Sequence, residues 1–295
     1  MTILATTPTD ATEAVERPAA EERPHRRRQT VLLVAFTLVI SFIMLLPLIW
    51  MLFTSVKPEA DIVTFPPRLF PRHLTLQHYV DVWHRIPFAR LYLNTIIFAG
   101  GVTIISLILD SMSAYALARL NFRGRGVVLA LVLVMLMLPF QVTLIPLYDL
   151  LNNLGWTDTL HGLIVPRATN AFGIFFLRQF FLSLPKDLEE AARVDGAGEF
   201  RIYRQIMIPL AVPALLTLGL FHFMYNWNDL LWPLIINQDQ SHQTLPSGLA
   251  LFMGQHVVEY GVLMAASVMS LIPVVLFFLL IQRRFVEGVA TTGIK

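Results

Sequence analysis

Long apolar runs alternate with short polar segments along most of the chain. A helix needs about 20 mostly apolar residues to cross about 30 Å of hydrocarbon, and lipid offers no partner to unpaired backbone groups. Six runs meet this length, although Arg167, Asn170 and Arg178 interrupt the fourth. The pattern predicts an all-α membrane protein with six transmembrane helices, over residues 31 to 53, 94 to 118, 127 to 147, 160 to 182, 207 to 232 and 262 to 282.

The composition agrees with a lipid environment. Hydrophobic residues make up 56% of the 295 residues and charged residues only 14%, which is more apolar surface than a soluble domain carries. The absence of cysteine excludes disulfides and thiolate metal sites, and His73, His78 and His84 lack the compact spacing of a metal site. The pI near 9.0 reflects arginines beside the apolar runs and gives no reason to expect a nucleic-acid partner.

Basic residues near the ends of the runs predict the orientation in the membrane, because Lys and Arg beside a span stay in the cytoplasm. Arg26 to Arg28 precede the first run, which lacks a cleavage pattern and is predicted to be a retained anchor. Both termini are then cytoplasmic, and residues 1–30 form a disordered cytoplasmic tail. The loop over residues 54 to 93 is the exception, because it carries five basic residues on the outer side.

A polar segment over residues 184 to 213 separates the fourth and fifth runs. Pro185 suits the start of a helix, and Gly196 suits its end, since glycine adopts the left-handed conformation easily. We predict a first short helix over about 186 to 194. A second helix should begin near residue 198 and carry three apolar side chains on one face: Phe200, Tyr203 and Met207.

The first of these helices has two features that suit a protein partner. A narrow apolar face with small side chains would let a partner's backbone come close: Leu188, Ala191 and Ala192. Glu189 and Glu190 can each reach Arg193 along the helix surface. An alternative interpretation is a connector that lies flat under the bilayer, with Arg201 and Arg204 beside lipid headgroups.

The order of residues in this segment resembles a known family motif. Glu190-Ala-Ala-Arg-Val-Asp-Gly196, followed by Pro209-Leu210, resembles the EAA loop of the membrane-spanning subunits of bacterial ABC importers. Further stretches resemble the carbohydrate-uptake branch that handles maltose-like sugars and glycerol phosphates, and the resemblance covers about 31 to 295. These stretches are Asn94-Thr-Ile, Ala114-Tyr-Ala-Leu-Ala-Arg119, Trp227-Asn-Asp-Leu-Leu-Trp-Pro233 and Phe285-Val-Glu-Gly288.

The resemblance implies a type I ABC importer transmembrane domain over residues 31–295, in a bacterial inner membrane. It implies that residues about 186 to 204 form a coupling helix seated in a groove of a cytoplasmic ATPase. It further implies two ATPase subunits, a second permease in a heterodimer and an extracytoplasmic sugar-binding protein, with membrane lipid around the spans. The residues that it assigns to coupling are Leu188, Glu189, Glu190, Ala191, Ala192, Arg193, Asp195, Gly196 and Ala197.

The chain has no phosphate-binding loop of the Gly-Lys-Ser/Thr type. Its three lysines, Lys57, Lys186 and Lys295, follow Val, Pro and Ile, whereas that loop needs glycine before the lysine. We therefore predict a non-catalytic permease subunit without a cofactor of its own. ATP and Mg would lie on the partner ATPase.

Polar groups inside a bilayer are costly, so each is a candidate for the substrate pathway or for a contact between helices. Aromatic faces beside amides and carboxylates suit a sugar. An aromatic belt at the water interface, or helix packing in the case of Asp110, explains the same residues, and Arg167 could either snorkel or face a polar entrance. The pathway candidates are Asn94, Asp110, Tyr225, Asn226, Asn228, Asp229 and Trp232.

Two other functions compete with a permease subunit. An ion-coupled secondary transporter would use Asp110 and Asp229 as titrating groups inside the membrane. A membrane enzyme would use Asp229, His222 and Asn226, but neither a Ser/His/Asp order nor a histidine-rich metal motif supports it. The outer loop over residues 235 to 261 could contact a docked binding protein or be a plain solvated loop.

Overall fold

The structure is a computed structural model that describes residues 22–255 and 259–292. All regular elements in these residues are helical. Single turns of 3-10 helix cover Val165–Arg167 and Gln240–His242, and a π-helix covers Tyr203–Met207. The α-helices are α1 Glu22–Ser55, α2 Glu59–Ile62, α3 Gln77–Arg85, α4 Phe88–Arg119, α5 Arg125–Met137, α6 Phe140–Asn153, α7 Leu160–Ile164, α8 Ala171–Ser183, α9 Asp187–Val194, α10 Glu199–Ile202, α11 Ile208–Leu210, α12 Val212–Trp227, α13 Leu231–Ile236, α14 Leu245–Gln255 and α15 Tyr260–Thr292.

The chain divides into two compact units. The first ends at Trp50, and its described residues all belong to α1; the second begins at Met51 and includes the last five residues of that helix. The predicted tail over residues 1–30 lies mostly outside the described residues. Its last nine residues belong to α1, because the helix already begins at Glu22.

Three of the six predicted spans are single helices that are long and apolar enough to cross a membrane: Gln29–Ser55, Phe88–Arg119 and Tyr260–Leu280. The other three are pairs of helices, each bent at a short break. The bend is 103° between α5 and α6, 41° between the α7 segment and α8, and 77° between Glu199–Leu210 and α12. Among the described residues, the membrane segments therefore number three, or six if each bent pair counts as one.

Each break has a local cause. Pro139 lacks an N–H and forces Leu138 into an extended conformation, which ends α5. Asn170 is extended and caps α8, since its side chain accepts a hydrogen bond from the Phe172 N–H at 2.8 Å. Proline at the start of α12 follows Ala211, whose backbone leaves the helical region. The sequence predicted continuous helices at these points because hydrophobicity alone does not register caps.

Helix α4 lies at the centre of the second unit and packs along α8 and α12. Near its C-terminus a cluster of buried side chains joins these helices to the segment after α9, and it includes Leu177, Phe181, Ile202 and Met207. A second cluster near the N-terminus of α4 joins it to α3 and α15. A third surrounds Trp232, which is fully buried. The core therefore consists of three clusters that follow one another along α4.

The approach of α8 to α4 depends on Gly173. A Cβ at this position would overlap Asp110 Oδ2 and lie 3.0 Å from His222 Nε2. We expect Gly173→Ala to lower the stability of the purified protein in detergent by about 1–3 kcal/mol, because overpacking displaces neighbouring groups.

Gly100, on α4, provides the matched control, because a Cβ there would have no described atom within 4 Å apart from its own helix backbone and chain neighbours. Gly100→Ala should keep or slightly raise the midpoint of thermal unfolding, since alanine favours helix. Equal midpoints for the two variants would show that the close approach at Gly173 is unimportant.

Candidate functional site

Helix α9 forms the first half of the predicted coupling segment. It begins at Asp187 and ends at Val194, close to the predicted bounds of 186 and 194. Gly196 then has a φ of +81°, the left-handed conformation that the sequence predicted for the turn. The predicted helix and turn at this position are therefore confirmed.

One side of α9 faces the rest of the chain through Glu189. This side chain is only 3% exposed and forms an ion pair with Arg119 on α4, with 2.9 Å between Oε1 and Nε. Arg193 contacts Glu189 at 3.3 Å and also Glu199 at 2.9 Å. The hydrogen bond to Glu199 raises the pKa of Arg193 above its ordinary value. Of the two glutamates predicted to reach Arg193, only Glu189 forms an ion pair with it in the described part of the chain.

The other side of α9 is exposed. Leu188, Glu190 and Ala191 lie on it, together with Asp195 and Gly196 beyond the helix. Val194 is 88% exposed and Phe200 65%, and sequence reasoning assigned neither of them to this surface. Ala192 and Ala197 pack against the buried cluster beneath. We call the exposed residues 188, 190, 191, 194 and 200 the α9 surface.

The second predicted helix of this segment differs from its prediction. Phe200, Tyr203 and Met207 do not share one face, because Phe200 is exposed and Met207 is fully buried. The chain forms a π-helix over Tyr203–Met207, in which the Ile208 N–H bonds to the Tyr203 carbonyl. Pro209 favours this wider turn, since its ring clashes with the carbonyl four residues before it in an α-helix. The i, i+3, i+7 spacing assumed a regular helix.

A cavity of about 920 Å³ lies beside α8 and α12. Most of its wall is apolar. Its polar lining comprises Asn170, His222, Tyr225, Asn228 and Asp229. Three of the seven pathway candidates, Tyr225, Asn228 and Asp229, therefore line the same cavity.

Arg167 and Asp229 form an ion pair at the edge of this cavity. The distance between Arg167 Nη2 and Asp229 Oδ2 is 2.6 Å, and both side chains are 10% exposed. The guanidinium also lies 4.4 Å from the centre of the Phe140 ring, with two further rings within 6 Å: Tyr225 and Trp232. This arrangement excludes snorkelling to the surface, one of the two alternatives for Arg167, because the charge is paired inside the protein.

Asp110 is fully buried and joins three parts of the chain. Its Oδ1 accepts hydrogen bonds from the Thr169 hydroxyl at 2.7 Å and from the Asn170 N–H at 3.0 Å. Its Oδ2 lies 3.4 Å from His222 Nε2. Asp110 therefore holds the break before α8 against α4 and α12, which is the geometry of a helix contact.

The remaining pathway candidates lie away from the lining of this cavity. Asn94 is buried and donates hydrogen bonds to the Ser241 and Gln243 carbonyls, each at 2.9 Å. The Trp232 indole donates to the Leu163 carbonyl at 3.1 Å. Asn226 donates to the His222 carbonyl at 2.7 Å. The contacts of Asn94 and Trp232 connect different elements of the fold, whereas that of Asn226 lies within α12.

The loop after α13 has a defined structure. Asn237, Gln243, Thr244 and Ser247 are each at most 1% exposed. Asp158, on the preceding loop, accepts hydrogen bonds from the Gln238 and Asp239 N–H groups at 2.6 and 2.8 Å. With the two bonds from Asn94, these contacts immobilise residues 237 to 247. The alternative of a plain solvated loop does not describe this part of it.

Residues 111–291 of the chain match the family described as "Binding-protein-dependent transport system inner membrane component". The chain is 34% identical over 262 residues to the arabinooligosaccharides transport system permease protein AraQ of Halalkalibacterium halodurans, which covers 87% of this chain and 93% of the relative. It is also 34% identical over 271 residues to the trehalose/maltose transport system permease protein MalG of Thermococcus litoralis, covering 90% and 96%.

A solved structure shows the same architecture. One chain of a bacterial ABC transporter involved in the import of the acidic polysaccharide alginate superposes with a TM-score of 0.77 at 28% identity, covering 92% of this chain and 100% of that chain. The predicted all-α importer fold and the resemblance carried by the EAA segment are confirmed. This chain belongs to the family of binding-protein-dependent transport system inner-membrane components, the permease subunits of ABC importers.

Proposed function

We propose that the chain forms one half of the membrane pathway for a sugar or sugar-like solute, driven by ATP hydrolysis on a partner. The observation that carries the proposal is the cavity in which an exposed tyrosine, Tyr225, lies beside Asn228 and Asp229. Relatives with this fold are named for arabinooligosaccharides, trehalose or maltose, and alginate. Their common feature is a carbohydrate solute.

The chemistry of the cavity suits a sugar. The CH face of a pyranose or furanose stacks on an aromatic ring, and its hydroxyls exchange hydrogen bonds with amides and carboxylates. Asp229 is paired with Arg167 and also accepts a hydrogen bond from the Trp232 N–H at 3.3 Å. Since its charge is compensated, the cavity offers hydrogen-bond acceptors without a bare anion. Such a lining favours a neutral polyhydroxyl solute over a cation.

The α9 surface supports the coupling half of the proposal. Its small and apolar side chains leave room for a partner groove, and Glu190 provides one exposed charge at its edge. We propose that two ATPase subunits with ATP and Mg bind on this side. The basic residues near it support a cytoplasmic location for this side and for both termini. A second permease subunit would complete the pathway, and an extracytoplasmic sugar-binding protein would deliver the solute.

The ion-coupled alternative draws no support from the comparisons. Its two titrating candidates are also committed to other contacts, because Asp110 is hydrogen-bonded inside the bundle and Asp229 is paired with Arg167. A carrier carboxylate must be free to exchange its ion with water on both sides.

The first prediction of the proposed function concerns the α9 surface and the turn that follows it. Glu190→Lys reverses its exposed charge, and Gly196→Asp places a side chain at a φ of +81°, which costs backbone strain. We expect both variants to insert into the membrane normally. Uptake should fall at least about tenfold, because a contact worth about 1.4 kcal/mol or more is lost, and the solute should no longer stimulate ATP hydrolysis.

A charge reversal elsewhere serves as the control. Asp149→Lys changes an exposed carboxylate on α6, outside the α9 surface, and should leave uptake and stimulated hydrolysis near the wild-type values. Normal uptake in both the Glu190→Lys and the Gly196→Asp variant would contradict the coupling role.

The second prediction concerns the cavity wall. Tyr225→Ala removes the exposed ring, and we expect the transport rate at saturating binding protein to fall about threefold to tenfold, since an aromatic stacking contact contributes about 0.5–1.5 kcal/mol. Tyr225→Phe keeps the ring and should retain most of the rate. The measurement is import of radiolabelled di- and oligosaccharides into liposomes that contain the complete importer. Similar rates for the alanine and phenylalanine variants would rule out stacking on this ring.

A further inference from the structure

Helix α4 carries a row of polar side chains along its C-terminal half, on more than one of its faces. Its members bond to segments of the chain that run from α9 to the cavity. We call this row the α4 polar row. It comprises Ser106, Asp110, Ser111, Tyr115 and Arg119.

The C-terminal end of the row is a buried ion pair that connects α4 to α9. Arg119 and Glu189 are each 3% exposed, and their charged atoms lie 2.9 Å apart. The Arg119 Nη2 also donates to the Phe181 and Leu184 carbonyls, at 2.5 and 2.6 Å. Separating this pair would leave two uncompensated charges in a low-dielectric interior, which is strongly unfavourable. The Arg119–Glu189 ion pair therefore resists separation when α9 is displaced.

Two further contacts fasten the same region. The Tyr115 hydroxyl donates to Glu199 Oε2 at 2.8 Å, and the Ser111 and Tyr203 hydroxyls share a hydrogen bond at 2.8 Å. Arg193 bridges Glu189 and Glu199, so α9 and α10 attach to α4 as one piece.

The N-terminal part of the row, Ser106 and Asp110, contacts residues that line the cavity or lie at its edge. Asp110 binds Thr169 and Asn170 at the break before α8, and it contacts His222 on α12. One turn further, the Ser106 hydroxyl donates to the Arg167 carbonyl at 3.2 Å. Asn170 and His222 line the cavity, and so does Asp229, the ion-pair partner of Arg167.

We propose that Arg119 is a positioning residue for coupling, through which displacement of α9 moves α4 as a rigid body, and that Asp110 passes this movement to the cavity wall. The route runs through the second span. The neighbours of α9 in sequence are the fourth and fifth spans, and each of them is broken, at residues 168 to 170 and at Ala211. Rigid secondary elements and networks of hydrogen bonds and salt bridges can carry coupling between distant sites, and α4 combines both. This inference rests on the proposed function.

The test measures ATP hydrolysed per sugar imported, with the complete importer in liposomes. Arg119→Gln combined with Glu189→Gln removes both charges and leaves neither one unpaired. We expect this double variant to assemble and to consume at least about fivefold more ATP per sugar, a change within the range known for residues that carry coupling. ATP hydrolysed per sugar imported separates the two cases, because a merely structural defect would lower total activity without changing this ratio.

Two single variants sharpen the result. Arg119→Lys keeps the charge opposite Glu189 but loses the hydrogen bonds of the guanidinium to the Phe181 and Leu184 carbonyls. The ATP consumed per sugar should lie between the values of the wild type and the double variant. Arg125→Gln is the matched control. Arg125 also bonds carbonyls at the end of α4, those of Leu117 and Ala118, yet its described contacts do not include α9. Its ratio should equal that of the wild type.

An unchanged ratio in the assembled double variant would overturn the inference. If that variant fails to assemble, Tyr115→Phe decides, because it removes only the hydroxyl that bonds Glu199. An increase of about twofold or more supports the inference, and an unchanged ratio overturns it. A wild-type importer that accumulates sugar without hydrolysing ATP would instead contradict the proposed function.

Discussion

The Asp110 carboxylate is the constraint on which the membrane part of the structure depends. Lipid offers no hydrogen-bond partner, so a span broken at residues 168 to 170 must find internal partners for the backbone groups that the break releases. Asp110 accepts from the Asn170 N–H and the Thr169 hydroxyl, while Asn170 caps the helix that follows. A buried carboxylate thus makes the bend of 41° tolerable, and the bend shapes the wall of the cavity.

The charges of the second unit follow one rule, which is that each deeply buried charge has a partner nearby. Arg119 pairs with Glu189 on the α9 side, and Arg167 pairs with Asp229 beside the cavity. Desolvation makes an unpaired charge at either place very costly. The two pairs differ in surroundings: carbonyl oxygens fill the space around Arg119, whereas aromatic rings surround Arg167. The surroundings of Arg119 favour a fixed connection between α4 and α9. Those of Arg167 leave Asp229 next to the space that a solute would occupy.

Local patterns in the sequence were sufficient for the membrane class, for the uninterrupted spans and for the α9 helix with its glycine turn. Each of these depends on hydropathy, a cap or one residue's preferred φ. The buried role of Glu189 could not be predicted, since its partner Arg119 lies 70 positions earlier and becomes a neighbour only through the fold. The same reason applies to Arg167 and to the separation of Asn94 and Trp232 from the cavity. The π-helix has one local signal, Pro209, which the spacing of apolar residues did not take into account.

Two sets of buried contacts on α4 explain why an importer subunit would use its second span as the moving part. When one helix of a bent pair is displaced, as in α5 and α6 with their angle of 103°, the angle at the bend can change and the other helix need not move. Helix α4 is continuous over 32 residues, and at a rise of about 1.5 Å per residue it extends about 48 Å. It is held by the buried ion pair of Arg119 at its C-terminal end and by Asp110 nine residues earlier. Movement imposed on α9 therefore reaches the cavity wall through one rigid element, and the breaks in its neighbours allow the wall to respond without unfolding.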